Sequence, residues 1–239
     1  MWRDLHRELS AHGVSVLTIA LEAEPSRALP YLDAAGDELA ALIDRTHATG
    51  PALGLINVPL AVWIEADGTV VRPAHYCPVS PSPFAGRAVP EGLDPRMAGR
   101  IELLASRPDR HLDYLAALRD WAANGPASAW ALDPDAVRQA GGRRTADQAR
   151  AAACFELGES LRRSGDEAAA VPWWREAHRL QPENVAYKRQ AWSFVTTAAG
   201  ATDVDLIQED TGPYEGNWLD DMIAIGMDRA YPELMPRSA

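Results

Sequence analysis

The hydrophobic positions of this chain fall into runs of different period, and each period predicts a different element. Trp2, Leu5 and Leu9 recur at helical spacing, which predicts an amphipathic helix over residues 2–12. Gly13 is a natural residue to close it. Residues 14–21 are apolar at nearly every position, a pattern that predicts a strand inside a parallel sheet. Helix, glycine and buried strand make half of a βαβ unit, and the strand that would complete it is expected before residue 1. Residues 22–36 read as an irregular helical connection, because Pro25 suits a first helical position while Pro30 breaks a long helix. Residues 39–43 predict a short strand, and Gly50-Pro51 argues against a helix over residues 46–55.

The stretch over residues 53–73 organises the first half. The run from Leu60 to Ile64 is almost continuously apolar, as expected of a strand covered on both faces. Asp67-Gly68 supplies the positive-φ positions of a hairpin turn, residues 69–71 return beside the first strand, and Pro73 stops them. Pro59 has no N–H to give a ladder, so it marks a corner at the start of the strand.

Beyond this hairpin the pattern changes. Residues 78–95 are rich in Pro, Ser and Gly and read as a linker or wrapped loop, which divides the chain into residues 1–77 and a helical region over 96–199. Met97, Ile101 and Leu104 follow a helix start at Asp94-Pro95. Leu112, Leu115, Leu118 and Trp121 form a second stripe, and Pro134 opens a short helix ending at Gly141-Gly142. A further helix is expected after Pro182, over residues 184–194. The tail over residues 200–239 carries Trp218, Met222 and Ile225 at helical spacing, with Tyr214 and Tyr231 flanking them. So much apolar surface is expected to dock on the body.

Composition narrows the function. The chain has 239 residues and a formal charge of −11, which argues against nucleic acid or an anionic membrane as partner. No apolar run approaches the roughly 20 residues that span a bilayer, and the charged start is unlike a signal peptide, so a cytoplasmic location is expected. Cys77 and Cys154 are the only cysteines and form neither a disulfide framework nor a zinc spacing. Lys188 is the only lysine, and we draw no function from that. Cys77, in His75-Tyr76-Cys77-Pro78, is a weak candidate nucleophile that His75 would have to activate. His47, His75 and Cys77 lack any metal-ligand spacing, and no metal or cofactor is expected. Asp203, Asp205, Glu209 and Asp210 lack the glycine and final glutamate of a calcium loop.

Two resemblances sharpen this reading. The helix, the strand over 14–21 and the Asn-Val-Pro corner with its hairpin resemble the thioredoxin fold, most closely the bacterial redoxins of the ResA and TlpA type. Val58, Pro59, Ile64, Gly68 and Val71 match that pattern over about residues 1–75. The resemblance implies a cis Val58-Pro59 bond and backbone pairing of an extended protein or peptide beside it, so Val58 and Pro59 are the expected partner-binding residues. The Cys-x-x-Cys motif of that family is absent. The implied fold class is α/β, an incomplete thioredoxin-like sheet domain plus a C-terminal helical region.

In that helical region Cys154, Leu157, Gly158, Leu161, Ala170, Trp174, Ala177 and Pro182 resemble one tetratricopeptide repeat of about 34 residues, with its hairpin over residues 151–184. The expected function is a protein-binding or scaffold module in a thiol-redox setting. The alternative is a thiol-disulfide oxidoreductase or peroxide-reducing enzyme whose reactive cysteine or selenocysteine lies upstream of Met1 or is Cys77. An exposed sheet edge would also allow a homodimer.

Overall fold

The structure, a computed structural model, describes residues 1–93, 95–194 and 218–237. The chain is mixed α/β. Its first helix α1 (Trp2–Ser10) buries Leu5 and Leu9, and Gly13 turns the chain with φ +77°. Strand β1 (Leu17–Leu21) pairs in parallel with β2 (Ala40–Asp44), Leu17 opposite Ala40 and Leu21 opposite Asp44. The expected parallel pairing is present, but the expected full burial is not: Leu17 is exposed and the rest of β1 only half-buried. Among the described residues β1 has a strand neighbour on one side alone, and such a strand keeps part of its surface in solvent.

Between these strands, α2 (Pro25–Ala35) runs straight through Pro30, against the expectation of a break. A proline inside a helix removes one hydrogen bond, and the other turns of this helix hold it in place. Gly50-Pro51 likewise sits inside a short helix, α3 (Thr49–Leu53), closed by Gly54 in the left-handed conformation. Asp44 fixes its start: Oδ2 accepts from the Thr49 backbone N–H at 2.7 Å and from its hydroxyl at 2.6 Å.

Strand β3 (Leu60–Ile64) and strand β4 (Val70–Tyr76) form a separate antiparallel sheet. Of the two turn residues only Gly68 has positive φ, not Asp67. The Gly68 N–H donates to Glu65 and the Glu65 N–H to Thr69, so the loop is a turn followed by a left-handed glycine. Pro73 does not end β4. It falls where the register slips between the Ala61–His75 and Trp63–Arg72 pairs, a bulge where its missing N–H breaks no ladder bond.

The helices follow: α4 (Pro95–Ser106), α5 (His111–Asn124), α6 (Pro134–Gly141), α7 (Ala146–Arg163), α8 (Glu167–Leu180), α9 (Val185–Trp192), α10 (Trp218–Ile225) and α11 (Met227–Ala230). One core gathers Leu5, Leu9, Trp63, Val71, Cys77 and the α5 residues Tyr114, Ala117, Leu118 and Trp121. Trp63 stacks on Trp121 at 4.9 Å. Residues from both sides of the 78–95 stretch therefore share one core. The buried face of α5 is set by Tyr114 and Ala117, and Leu112 of the expected stripe lies exposed.

A second core lies between α7, α8 and α9, around Phe155, Trp174 and Tyr187. A Cβ on Gly158 would stand 2.6 Å from the Trp174 ring, so glycine is what lets these helices meet. Cys154 is buried there as expected, but Leu157 points outward. Of the tail, the described helices α10 and α11 pack on the body. Met222 is buried against Val185, Arg100 makes two hydrogen bonds to Asp220, and the buried Lys188 pairs with Asp221 at 2.7 Å. Asp203, Asp205, Glu209, Asp210 and Tyr214 lie outside the described residues.

Candidate functional site

The Val58-Pro59 bond is cis, as the resemblance implied, and both residues are exposed at the head of β3. The chain just before them is anchored. Asn57 is fully buried and its Nδ2 donates to the Ala230 carbonyl at 3.4 Å, while the Ile56 carbonyl accepts from the Ala186 N–H of α9. Val58 keeps 39% of its surface in solvent because its anchored neighbours leave it at the edge.

The edges of the hairpin are treated differently. The outer edge of β4 is covered: the Leu132 N–H donates to Val71 at 2.9 Å and the Tyr76 N–H donates to Pro232 at 2.7 Å. Among the described residues β3 has a strand partner only on its β4 side, and β1 only on its β2 side. Unpaired N–H and C=O groups along a strand are a ready template for another extended segment.

The thiol is elsewhere. Cys77 is 2% exposed inside the first core, and burial pushes its pKa up to about 12. A reactive thiol needs the opposite environment, electropositive and open to solvent. His75 does not activate it. Its Nδ1 donates to the Pro73 carbonyl at 2.9 Å, its ring meets Trp63 edge-on at 5.3 Å, and burial lowers its pKa to about 4. His47 belongs to the second core, not to the neighbourhood of Cys77. It packs on Phe155 at 5.1 Å, and its Nε2 donates to Gln190 Oε1 at 2.9 Å. The structure therefore does not bring His47, His75 and Cys77 together, and no group of three metal-ligating side chains forms among the described residues.

Sequence reasoning missed a set of buried polar groups between the two halves. The Gln190 amide receives the Ala23 N–H at 3.1 Å and donates to Glu22 at 3.2 Å. Arg162 pairs with Glu24 and lies 3.6 Å over the Phe194 ring. Glu159 beside it is fully buried, and burial raises its pKa to about 7. Partners more than a hundred residues apart leave no local pattern to read, and the alternation of polar and apolar residues gave no signal for them.

No protein-family model matches the chain, and no curated protein or solved structure is significantly similar to it.

Proposed function

We propose that the chain is a redoxin-type, thioredoxin-like protein without a dithiol pair of its own, working as a cytoplasmic binding module. In this reading the free edge of β3, beside Val58 and Pro59, takes up an extended polypeptide by strand addition, and the tetratricopeptide-like hairpin of α7 and α8 serves as scaffold. The carrying observation is the contrast at the hairpin: β4 has its outer edge capped by Leu132 and Pro232, while among the described residues β3 has a strand partner on one side alone. The buried Cys77 thiol weighs against the form of the enzymatic alternative in which Cys77 is the nucleophile.

Reduced and carboxymethylated insulin B chain serves as an extended probe that cannot exchange disulfides. Its binding is expected to slow amide exchange across residues 60–64, and Val58→Asp is expected to weaken it about tenfold by placing a charge in the contact. Binding that leaves these amides unprotected would sink the proposal. So would protection that follows protein concentration without the probe, since the edge would then serve a homodimer. Insulin reduction by the chain, abolished in Cys77→Ser, would replace the module with an enzyme.

A further inference from the structure

The two sheets do not join. Among the described residues β1 pairs only with β2 and β3 only with β4. A sheet of two strands is marginal on its own, and parallel strands are ordinarily covered on both faces. Here the two strands with a free edge are apolar and only partly covered. Ile19, Ala20 and Leu21 of β1 are half-buried, as are Leu60, Ala61 and Val62 of β3.

Helices fasten these two strands at both ends. At one end the fastening helix is α9. Its Ala186 N–H donates to the Ile56 carbonyl, just before β3, and its Gln190 Oε1 accepts from the Ala23 N–H, just after β1. At the other end the helices are α1 and α5. The Val16 N–H, just before β1, donates to His6 Nδ1 of α1 at 3.1 Å. Arg119 of α5 donates to Glu8 of α1 at 3.0 Å, and Trp121 of α5 donates to Glu65, just after β3, at 2.9 Å. β1 therefore runs from the α1–α5 pair toward α9, and β3 runs from α9 back toward that pair. The two strands point in opposite senses.

The spacing at α9 suits one strand between them. Ala186 and Gln190 are a single turn apart, about 6 Å along the helix axis, and the glutamine side chain adds its own reach. Neighbouring strands stand about 4.8 Å apart, and strands separated by one more stand about twice that. Exposed apolar side chains mark the strand ends: Leu17 where β1 begins, Val58 just before β3 and Ile64 where β3 ends.

We infer that β1 and β3 are the two walls of a slot for one extended segment of a partner polypeptide, which joins both sheets into one. The inference rests on strand addition at β3 and adds β1 as the second wall. An extended backbone carries N–H and C=O groups along both of its edges, so it can satisfy two free strands at once. Since β1 and β3 run in opposite senses, the segment lies parallel to one and antiparallel to the other. β1 and β3 have five residues each, which sets the length of the segment. Its side chains alternate between the two faces of the joined sheet, beside apolar neighbours on both. The partner segment is therefore apolar and β-branched on both faces, not on one.

Residue-resolved hydrogen exchange of the full chain tests this with two capped heptapeptides. One has alternating valine and isoleucine between terminal lysines, and the other has serine in place of each isoleucine. The first is expected to slow exchange at least about tenfold at those amides of β1 and of β3 that β2 and β4 leave unbonded. It is expected to bind at least about tenfold more tightly than the serine peptide. Leu17→Asp, at an exposed position on β1, is expected to weaken binding about tenfold with an unchanged melting temperature. Protection of β3 alone, or full affinity in Leu17→Asp, overturns the slot and leaves strand addition at β3 standing. Protection of neither strand removes both readings. Equal binding of the two peptides overturns the inference. So does protection of both free edges without peptide, since the chain or a second copy of it would then fill the slot.

Discussion

Around Trp63 the incompletely paired buried groups include the bases Arg72 and His75, and around Trp174 they include an acid, Glu159, as well as His47. In the first core Arg72 donates through Nε to the Trp130 carbonyl, leaves one terminal nitrogen unpartnered, and burial lowers its pKa to about 10. His75 lies in its field with an unpartnered Nε2. In the second core both oxygens of Glu159 lack a hydrogen-bond partner, and the nearest cation, Arg162, stands 3.9 Å away and is engaged with Glu24. Glu159 and the two bases of the first core are thus incompletely compensated groups of opposite sign. Burial always favours the neutral form. The same penalty therefore acts in opposite pH directions at Glu159 and at His75.

The largest effects come from removing the ring at each centre. Trp174→Ala empties a fully buried site between α7 and α8, and Trp63→Ala empties its counterpart between the hairpin and α5. Each is expected to cost about 3–5 kcal/mol in urea denaturation. A loss below about 1 kcal/mol in either variant would show that its core is not a packing centre, and the comparison would end there.

The pH response is the next largest. Glu159 rises from the ordinary 4.5 to about 7 in the folded chain. Its penalty is absent below the lower value, grows as pH rises between the two, and is complete above about 7, where it reaches on the order of 3 kcal/mol. His75 falls from 6.5 to about 4. Its contribution is intact above 6.5 and is lost as pH falls toward 4, on a similar scale. Stability measured across this range is expected to decline on both limbs. Glu159→Gln should flatten the limb between pH 5 and 8 and leave the acid limb in place. An unchanged upper limb in that variant would mean that the carboxyl is solvated, and the contrast between the cores would fail.

Much of this architecture could be read locally. The β3–β4 hairpin follows from an apolar run, a glycine able to take positive φ and a returning run. The α7–α8 pair follows from Gly158 and Ala170, small where Trp174 must fit. What misled the reading was also physical. Pro30 and Pro51 are tolerated inside helices because neighbouring turns and the Asp44 cap hold them. The burial of β1 was overestimated because an apolar run does not reveal how many neighbours a strand will have. For the candidate site, the exposed Val58-Pro59 corner was visible in the sequence. The free side of β3 was not, since the strand pairing and the capping of β4 by Leu132 and Pro232 come from residues distant in the chain.

The smallest predicted effect bears most directly on function. Cys77 and Cys154 place one thiol in each core, so alkylation compares the two regions with a single reagent. With its pKa near 12, Cys77 is ionised at pH 8 to only about one part in 10⁴, and its burial shields even that fraction. Its modification in the native protein is therefore expected to follow opening of the fold, with a rate that urea raises as it lowers stability. Cys77→Ala should cost only about 1 kcal/mol, the loss of one small buried group. The Cys154→Ala variant isolates the Cys77 signal without disturbing the hairpin. Alkylation of that variant at the rate of a free thiol, independent of urea, would mean that Cys77 reaches solvent in the folded state. The buried sulfur would then be a poised nucleophile, and the first core would hold chemistry as well as packing.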